Sequence, residues 1–263
     1  MPIGVFDSGM GGISVLKALT EAMPGEDFIY LGDTARLPYG TKSPETVVRY
    51  SLQCAAVLAA RGIRCLVVAC NTASTPALPA LRATYVNFPI MGVIQPGAEA
   101  AVAVSRSLHI AVIGTEVTIN GGAYQAAILS LNPRAQVSAL ACPLFVALAE
   151  EGLTTGPIAE ALAHRYLDPI FQVKSPPDTL VLGCTHFPFL KEAIGAALPK
   201  GVKIVDSAVT TAAAVKALLQ PSVSVAHGRV TWLATDNSAR FARVGSTFLG
   251  QPLSPEAIEL IDL

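Results

Sequence analysis

Cys65-Leu-Val-Val-Ala-Cys70-Asn71-Thr72 and Thr179-Leu-Val-Leu-Gly-Cys184-Thr185-His186 read alike. Each is a short apolar run rich in β-branched residues, ended by a cysteine and then by small polar residues. A continuous apolar run bounded in this way predicts a strand buried on both faces, as in a parallel sheet. A thiol just past such a strand stands where open α/β sheets place their ligands. Two thiols presented the same way suggest one site with a sulfur on each side, able to take a proton from one face of a carbon and return one to the other.

Working outward, strand-like and helix-like segments alternate along the chain. Apolar runs at 3–6, 28–31, 65–69, 90–94, 110–113, 137–141, 180–182 and 202–205 predict strands. Helical spacing recurs at 46–60, 98–105, 118–129, 158–171, 188–197 and 208–219, and the tail adds a strand at 229–234 and a helix at 238–248. Ser43-Pro44-Glu45 opens one helix with a capping serine and a proline in the first turn. This alternation predicts an α/β fold with mostly parallel strands. A coarse internal duplication is also legible. Ile3-Gly-Val-Phe-Asp7-Ser8 matches Ile110-Ala-Val-Ile-Gly114-Thr115 in pattern, and a cysteine motif follows each. Two matched halves would set the thiols around a pseudo-twofold axis.

Composition excludes several classes. The 263 residues are 52% hydrophobic and 14% charged, enough apolar content for a large core and too little charge for disorder. A net charge of −1 lacks the basic footprint of a nucleic-acid binder. The first residues carry no secretory signal pattern, and no uninterrupted apolar run reaches the length of a membrane span. A soluble, cytoplasmic protein is expected. The five cysteines, at 54, 65, 70, 142 and 184, show neither Cys-x-x-Cys nor zinc-type spacing and read as free thiols. Cys54 and Cys65 fit buried core positions; Cys142 is ambiguous.

Around the two thiols, several residues offer chemistry. Asp7-Ser8-Gly9-Met10-Gly11-Gly12 follows the first strand. Its spacing is not that of a dinucleotide fingerprint, and a substrate carboxylate fits it better than a cofactor phosphate. Asp7 is either a helix cap or a functional carboxylate. Gly32–Gly40 is a polar loop after the second strand, with Tyr39 and Gly40 as ligand contacts, or else an ordinary surface connection. His186 can lower the pKa of Cys184 or shuttle its proton. Asp7 beside Cys70 would disfavour a thiolate and act as proton acceptor or positioning group. Asn71, Thr72 and Thr185 offer donors for carboxylate oxygens. Glu150-Glu151 ends an apolar helical run and by itself reads as a solvated helix end. No feature points to a Schiff-base lysine, a metal or another cofactor.

Taken together, Ile3–Gly12, Gly32–Gly40, Ala69–Ser74, Gly92–Gly97, Pro143–Val146 and Gly183–His186 resemble the corresponding motifs of the glutamate racemase family, in the family's order. The resemblance implies two pseudo-symmetric, doubly wound α/β domains with the active site between them. The first is discontinuous, 1–94 plus 209–263, and the second is 95–208. It implies cofactor-independent interconversion of L- and D-glutamate, supplying peptidoglycan synthesis. By position, Cys70 and Cys184 match the family's acid/base cysteines, Asp7 and His186 their auxiliary groups, and Glu150 a further acidic helper. Ser8, Tyr39, Gly40, Asn71, Thr72, Thr185 and His186 fall at substrate contacts, as does Asp7. His186 favours glutamate over aspartate racemases. A racemase of aspartate or hydantoins, and a non-catalytic two-lobed amino-acid binding protein, are the rival readings. Monomer and homodimer are both left open.

Overall fold

The computed structural model describes residues 1–220 and 228–263. The chain begins with β1 (Ile3–Asp7), α1 (Ile13–Ala22), β2 (Phe28–Gly32), α2 (Pro44–Ala60), β3 (Cys65–Val68), α3 (Asn71–Ser74), α4 (Leu78–Thr84) and β4 (Ile90–Gly92). It continues through α5 (Ile94–Val104), β5 (His109–Gly114), α6 (Glu116–Asn120), α7 (Ala123–Leu131), β6 (Gln136–Ala141), α8 (Leu144–Glu150), α9 (Pro157–Phe171), β7 (Thr179–Gly183), α10 (Lys191–Ala196), β8 (Lys203–Asp206) and α11 (Ser207–Leu219). It ends with β9 (Val230–Ala234), α12 (Ser238–Leu249) and β10 (Ile258–Leu260).

The strands form two sheets, ordered β10-β9-β2-β1-β3-β4 and β6-β5-β7-β8. Every pairing in both is parallel. The order β2-β1-β3-β4 in the first sheet repeats as β6-β5-β7-β8 in the second, so the duplication seen in the sequence has a topological counterpart. Each sheet reverses its winding direction between two strands, β1 and β3 in one, β5 and β7 in the other. A crevice opens at the carboxyl ends of strands at such a switch point.

Register makes the correspondence quantitative. Ile3 pairs with Cys65 and Ile110 with Thr179. Cys70 lies five residues beyond Cys65, and Cys184 five residues beyond Thr179. The two thiols therefore occupy equivalent places at the two switch points. Asp7 and Ser8 correspond to Gly114 and Thr115 on the neighbouring strands.

β1, β2, β3 and β7 are buried along their whole length, as their uninterrupted apolar runs require. Helices cover both faces of the first sheet and divide its apolar residues between two cores. Ile3, Val5, Tyr30 and Val67 point to one, while Phe6, Leu31, Leu66 and Val68 point to the other. The alternation along each strand follows from the pleat. The helical pattern expected over 118–129 is two helices, α6 and α7, broken at Gly121-Gly122, where Gly122 takes φ +66°. Apolar periodicity carries across such a break, so the pattern alone does not reveal it.

Among the described residues, no helix is long and apolar enough to cross a membrane.

Candidate active site

A cavity of about 350 Å³ lies where the carboxyl ends of the two sheets meet. It falls at the small end of the range for small-molecule sites. Cys70 and Cys184 both line it, one from each sheet. So do Ser8, Tyr39, Gly40, Asn71, Thr72, Glu150, Thr185 and His186. Asp7 does not reach the cavity wall; it is fully buried behind it.

Cys70 sits in the N-cap position of α3, its sulfur accepting from the Ala73 backbone N–H at 3.4 Å and lying 3.4 Å from the Ser8 hydroxyl. The N–H at the helix start and the hydrogen bond shared with Ser8, in which the thiol donates, favour a thiolate. Burial acts the other way, and so does the Asp7 carboxylate. The balance pushes the Cys70 thiol up to about 12.

Cys184 has a different neighbour. His186 Nδ1 is 3.8 Å from its sulfur, and His186 Nε2 is 3.1 Å from Glu150 Oε1. Burial disfavours the imidazolium, but the hydrogen bonds to Cys184 and Glu150 outweigh it and push His186 up to about 10. Burial also works against the Glu150 carboxylate; His186 and the Arg240 guanidinium overcome that and hold it below its ordinary value. Glu150, not the exposed Glu151, therefore faces the site.

Asp7 accepts from the Gly9 N–H at 2.9 Å through Oδ2, while its Oδ1 is buried without a partner. Burial raises its pKa against the opposing pull of His186 and backbone N–H groups. It does not cap α1, whose N-cap is Gly12 with no side-chain bond. The glycines after it also serve a purpose other than anion binding. A Cβ on Gly11 would lie 2.4 Å from Thr185 Oγ1 and 2.5 Å from His186 Cε1. A Cβ on Gly12 would lie 2.5 Å from Asp7 Cβ. Gly11 lets the turn approach the Cys184 motif and Gly12 lets it fold back on Asp7, and within it only Ser8 and Gly9 line the cavity.

The Asn71 carboxamide is held by Tyr124, which donates to Oδ1 at 2.8 Å, leaving a buried Nδ2 with no protein partner. Thr72 meets Thr115 across the halves at 2.8 Å between hydroxyl oxygens. The Gly32–Gly40 loop is not an ordinary surface connection. Asp33 and Tyr39 are buried in it, and the Tyr39 hydroxyl donates to Asp33. Tyr39 thus reaches the cavity wall with its hydroxyl already committed.

Sequence reasoning missed Thr115, Glu116 and Arg240. Thr115 was within reach of the duplication, since it is the counterpart of Ser8. Arg240, which donates to Glu150 Oε2 at 2.8 Å, comes from α12 and carries no local signal. Among the described residues no lysine or arginine lines the cavity, so an anionic ligand here meets hydroxyl, amide and backbone donors and the His186 imidazolium.

Equivalent thiols at two switch points thus open on one cavity of a size to hold a small molecule. Residues 3–217 match the family described as Asp/Glu/Hydantoin racemase, and the chain belongs to that family. Its relatives narrow the comparison. A glutamate racemase of Geobacter metallireducens is 52% identical, over 95% of this chain and 93% of the relative. Among solved structures, a glutamate racemase isoform of Bacillus anthracis matches with a TM-score of 0.92 at 34% identity, covering 100% of this chain and 97% of that one. A glutamate racemase of Francisella tularensis in complex with D-glutamate matches with a TM-score of 0.90 at 34% identity, covering 99% of this chain and 97% of that one.

Proposed function

We propose that this chain interconverts L- and D-glutamate by a two-thiol acid–base mechanism, without a cofactor, and that Cys70 and Cys184 are its acid and base. The observation that carries the reading is the opening of both sulfurs, from register-equivalent strand ends, onto one cavity. The names of the relatives and the D-glutamate complex support the substrate.

In this mechanism one sulfur takes the α-proton as thiolate and the other delivers a proton to the opposite face as thiol. The neighbours make the pair unequal. Cys70, buried beside Asp7, rests as the thiol. Cys184 faces the His186 imidazolium, which can give and take the proton that cycles through that sulfur. Asp7 serves Cys70 and Glu150 orients His186. General acid–base catalysis supplies only about 10²–10⁴-fold. The rest of the barrier reduction comes from donors preorganised around the substrate carboxylates, where carbanion charge develops. Asn71 Nδ2, fixed by Tyr124 and free of protein partners, is one such donor. Ser8, Thr72 and Thr185 supply hydroxyls, and Tyr39 and Gly40 complete the wall.

The reading includes a domain division of 1–94 with 209–263, and 95–208. Membership of β9 and β10 in the first sheet supports it; residues 221–227 of the first unit lie outside those described. It also includes a cytoplasmic role in supplying D-glutamate for peptidoglycan.

A substrate panel followed by chiral chromatography tests the assignment. Glutamate is expected to racemise, with aspartate, one methylene shorter, turned over roughly 10- to 200-fold more slowly and hydantoins not preferred to glutamate, because an active site built for one chain length discriminates by geometry. Equal or faster turnover of aspartate would assign the cavity to another substrate. Tight glutamate binding without any racemisation would leave a binding protein.

A further inference from the structure

The Glu150 carboxylate is held from two sides that belong to different sheets. His186, in the turn after β7, takes Oε1 at 3.1 Å. Arg240, on α12 beside the first sheet, takes Oε2 at 2.8 Å. The same helix makes a second contact with the His186 segment. Phe248 stacks on Phe189 with ring centroids 3.8 Å apart and meets the His186 ring edge-on at 5.8 Å. Arg240 does not line the substrate cavity; it lines a separate one of about 80 Å³ with Met10 and Asp236. Its Nε is buried with no partner, a cost that the charge-assisted bond to Glu150 offsets.

We propose that Arg240 is a positioning residue for racemisation, which fixes Glu150 from the opposite half so that the His186–Cys184 pair is aligned only when α12 is docked. The proposal rests on the two-thiol reading given above. A carboxylate bonded only to His186 would be free to rotate about its last torsion; a guanidinium on the second oxygen sets its plane and keeps it ionised. The charged groups facing Glu150 are His186 and Arg240. Cys184 and Asp7 act on it through His186, Glu116 lines the cavity shared with it, and Glu151 points to solvent. Arg240 is one of the groups that lower the Glu150 pKa.

The test compares purified full-length wild type with Arg240→Met, Arg240→Gln and Arg240→Lys. It measures kcat and KM for both glutamate enantiomers across pH, with thermal unfolding as a check on folding. Loss of the charge in Met and Gln is expected to lower kcat roughly 10- to 100-fold, the scale of a misplaced catalytic group. KM should change little, and the acid limb of the pH profile should move to higher pH because Glu150 protonates more easily. Lys keeps the charge and should recover the acid limb and most of kcat. If Arg240→Met fails to fold, the Lys–Gln comparison decides. Variants with wild-type kcat and an unmoved acid limb, or Lys and Gln behaving alike, would overturn the role of Arg240. Absence of racemisation in the wild type would instead overturn the activity itself.

Discussion

Replacing either sulfur is expected to stop racemisation in both directions. In Cys70→Ala and in Cys184→Ala, turnover of L- and of D-glutamate should fall by about 10⁴-fold, the upper end of what a positioned acid or base supplies. The reason is geometric. Each sulfur stands at its own switch point, in register-equivalent places on two sheets, so neither can cover the face served by the other. The variants should still differ from one another. A surviving thiol can abstract the α-proton from one face only, so each variant should exchange the α-hydrogen of one enantiomer with solvent and leave the other untouched. The enantiomer affected should be opposite in the two. Both cysteines lie in small, buried positions, and removing a sulfur atom leaves the fold intact, which circular dichroism will check. Wild-type turnover in either variant would remove that sulfur from the mechanism.

The second large effect is at His186. His186→Asn is expected to lower kcat by about 10²–10³-fold, because Cys184 loses the ring nitrogen beside it. The same substitution carries a signature in stability. The folded-state pKa is up at about 10, above the value of about 6.5 for an unfolded histidine. Between those values the folded chain holds more protons than the unfolded one, so this contribution is complete below about pH 6.5 and is lost as pH rises to about 10. Urea denaturation of the wild type should therefore show stability falling across this window more steeply than in His186→Asn, which lacks the titrating imidazole. Parallel curves for the two proteins would mean that His186 is neutral throughout.

The parts of this fold that the sequence discloses are those with strong periodicity. The buried strands read as apolar runs because parallel strands have no polar face, and from their ends Cys70 and Cys184 were legible as a pair. The break between α6 and α7 was not, because Gly121-Gly122 interrupts the backbone without interrupting the apolar spacing. β10, three residues at a sheet edge, is too short to show a period. The site divides in the same way. Residues adjoining a strand end, such as Ser8, Asn71 and Thr185, announce themselves by position. Glu150 read as a solvated helix end, because what distinguishes it from Glu151 is the side of α8 that meets His186. Arg240 approaches from a helix 90 residues further along, and no local pattern signals a contact of that range. The glycines after Asp7 invited a ligand explanation, whereas Gly11 is small because His186 and Thr185 occupy the space a side chain would need.

The central claim, that two thiols serve opposite faces of one α-carbon, is tested most directly by racemising protiated L-glutamate in heavy water with the wild-type enzyme. Early in the reaction, mass spectrometry of the separated enantiomers should find D-glutamate carrying deuterium at the α-carbon and remaining L-glutamate still protiated. The abstracted proton stays on one sulfur, and a solvent-derived deuteron arrives from the other. D-glutamate retaining its original α-hydrogen would contradict the account, because it would require a single group to remove and return the same proton.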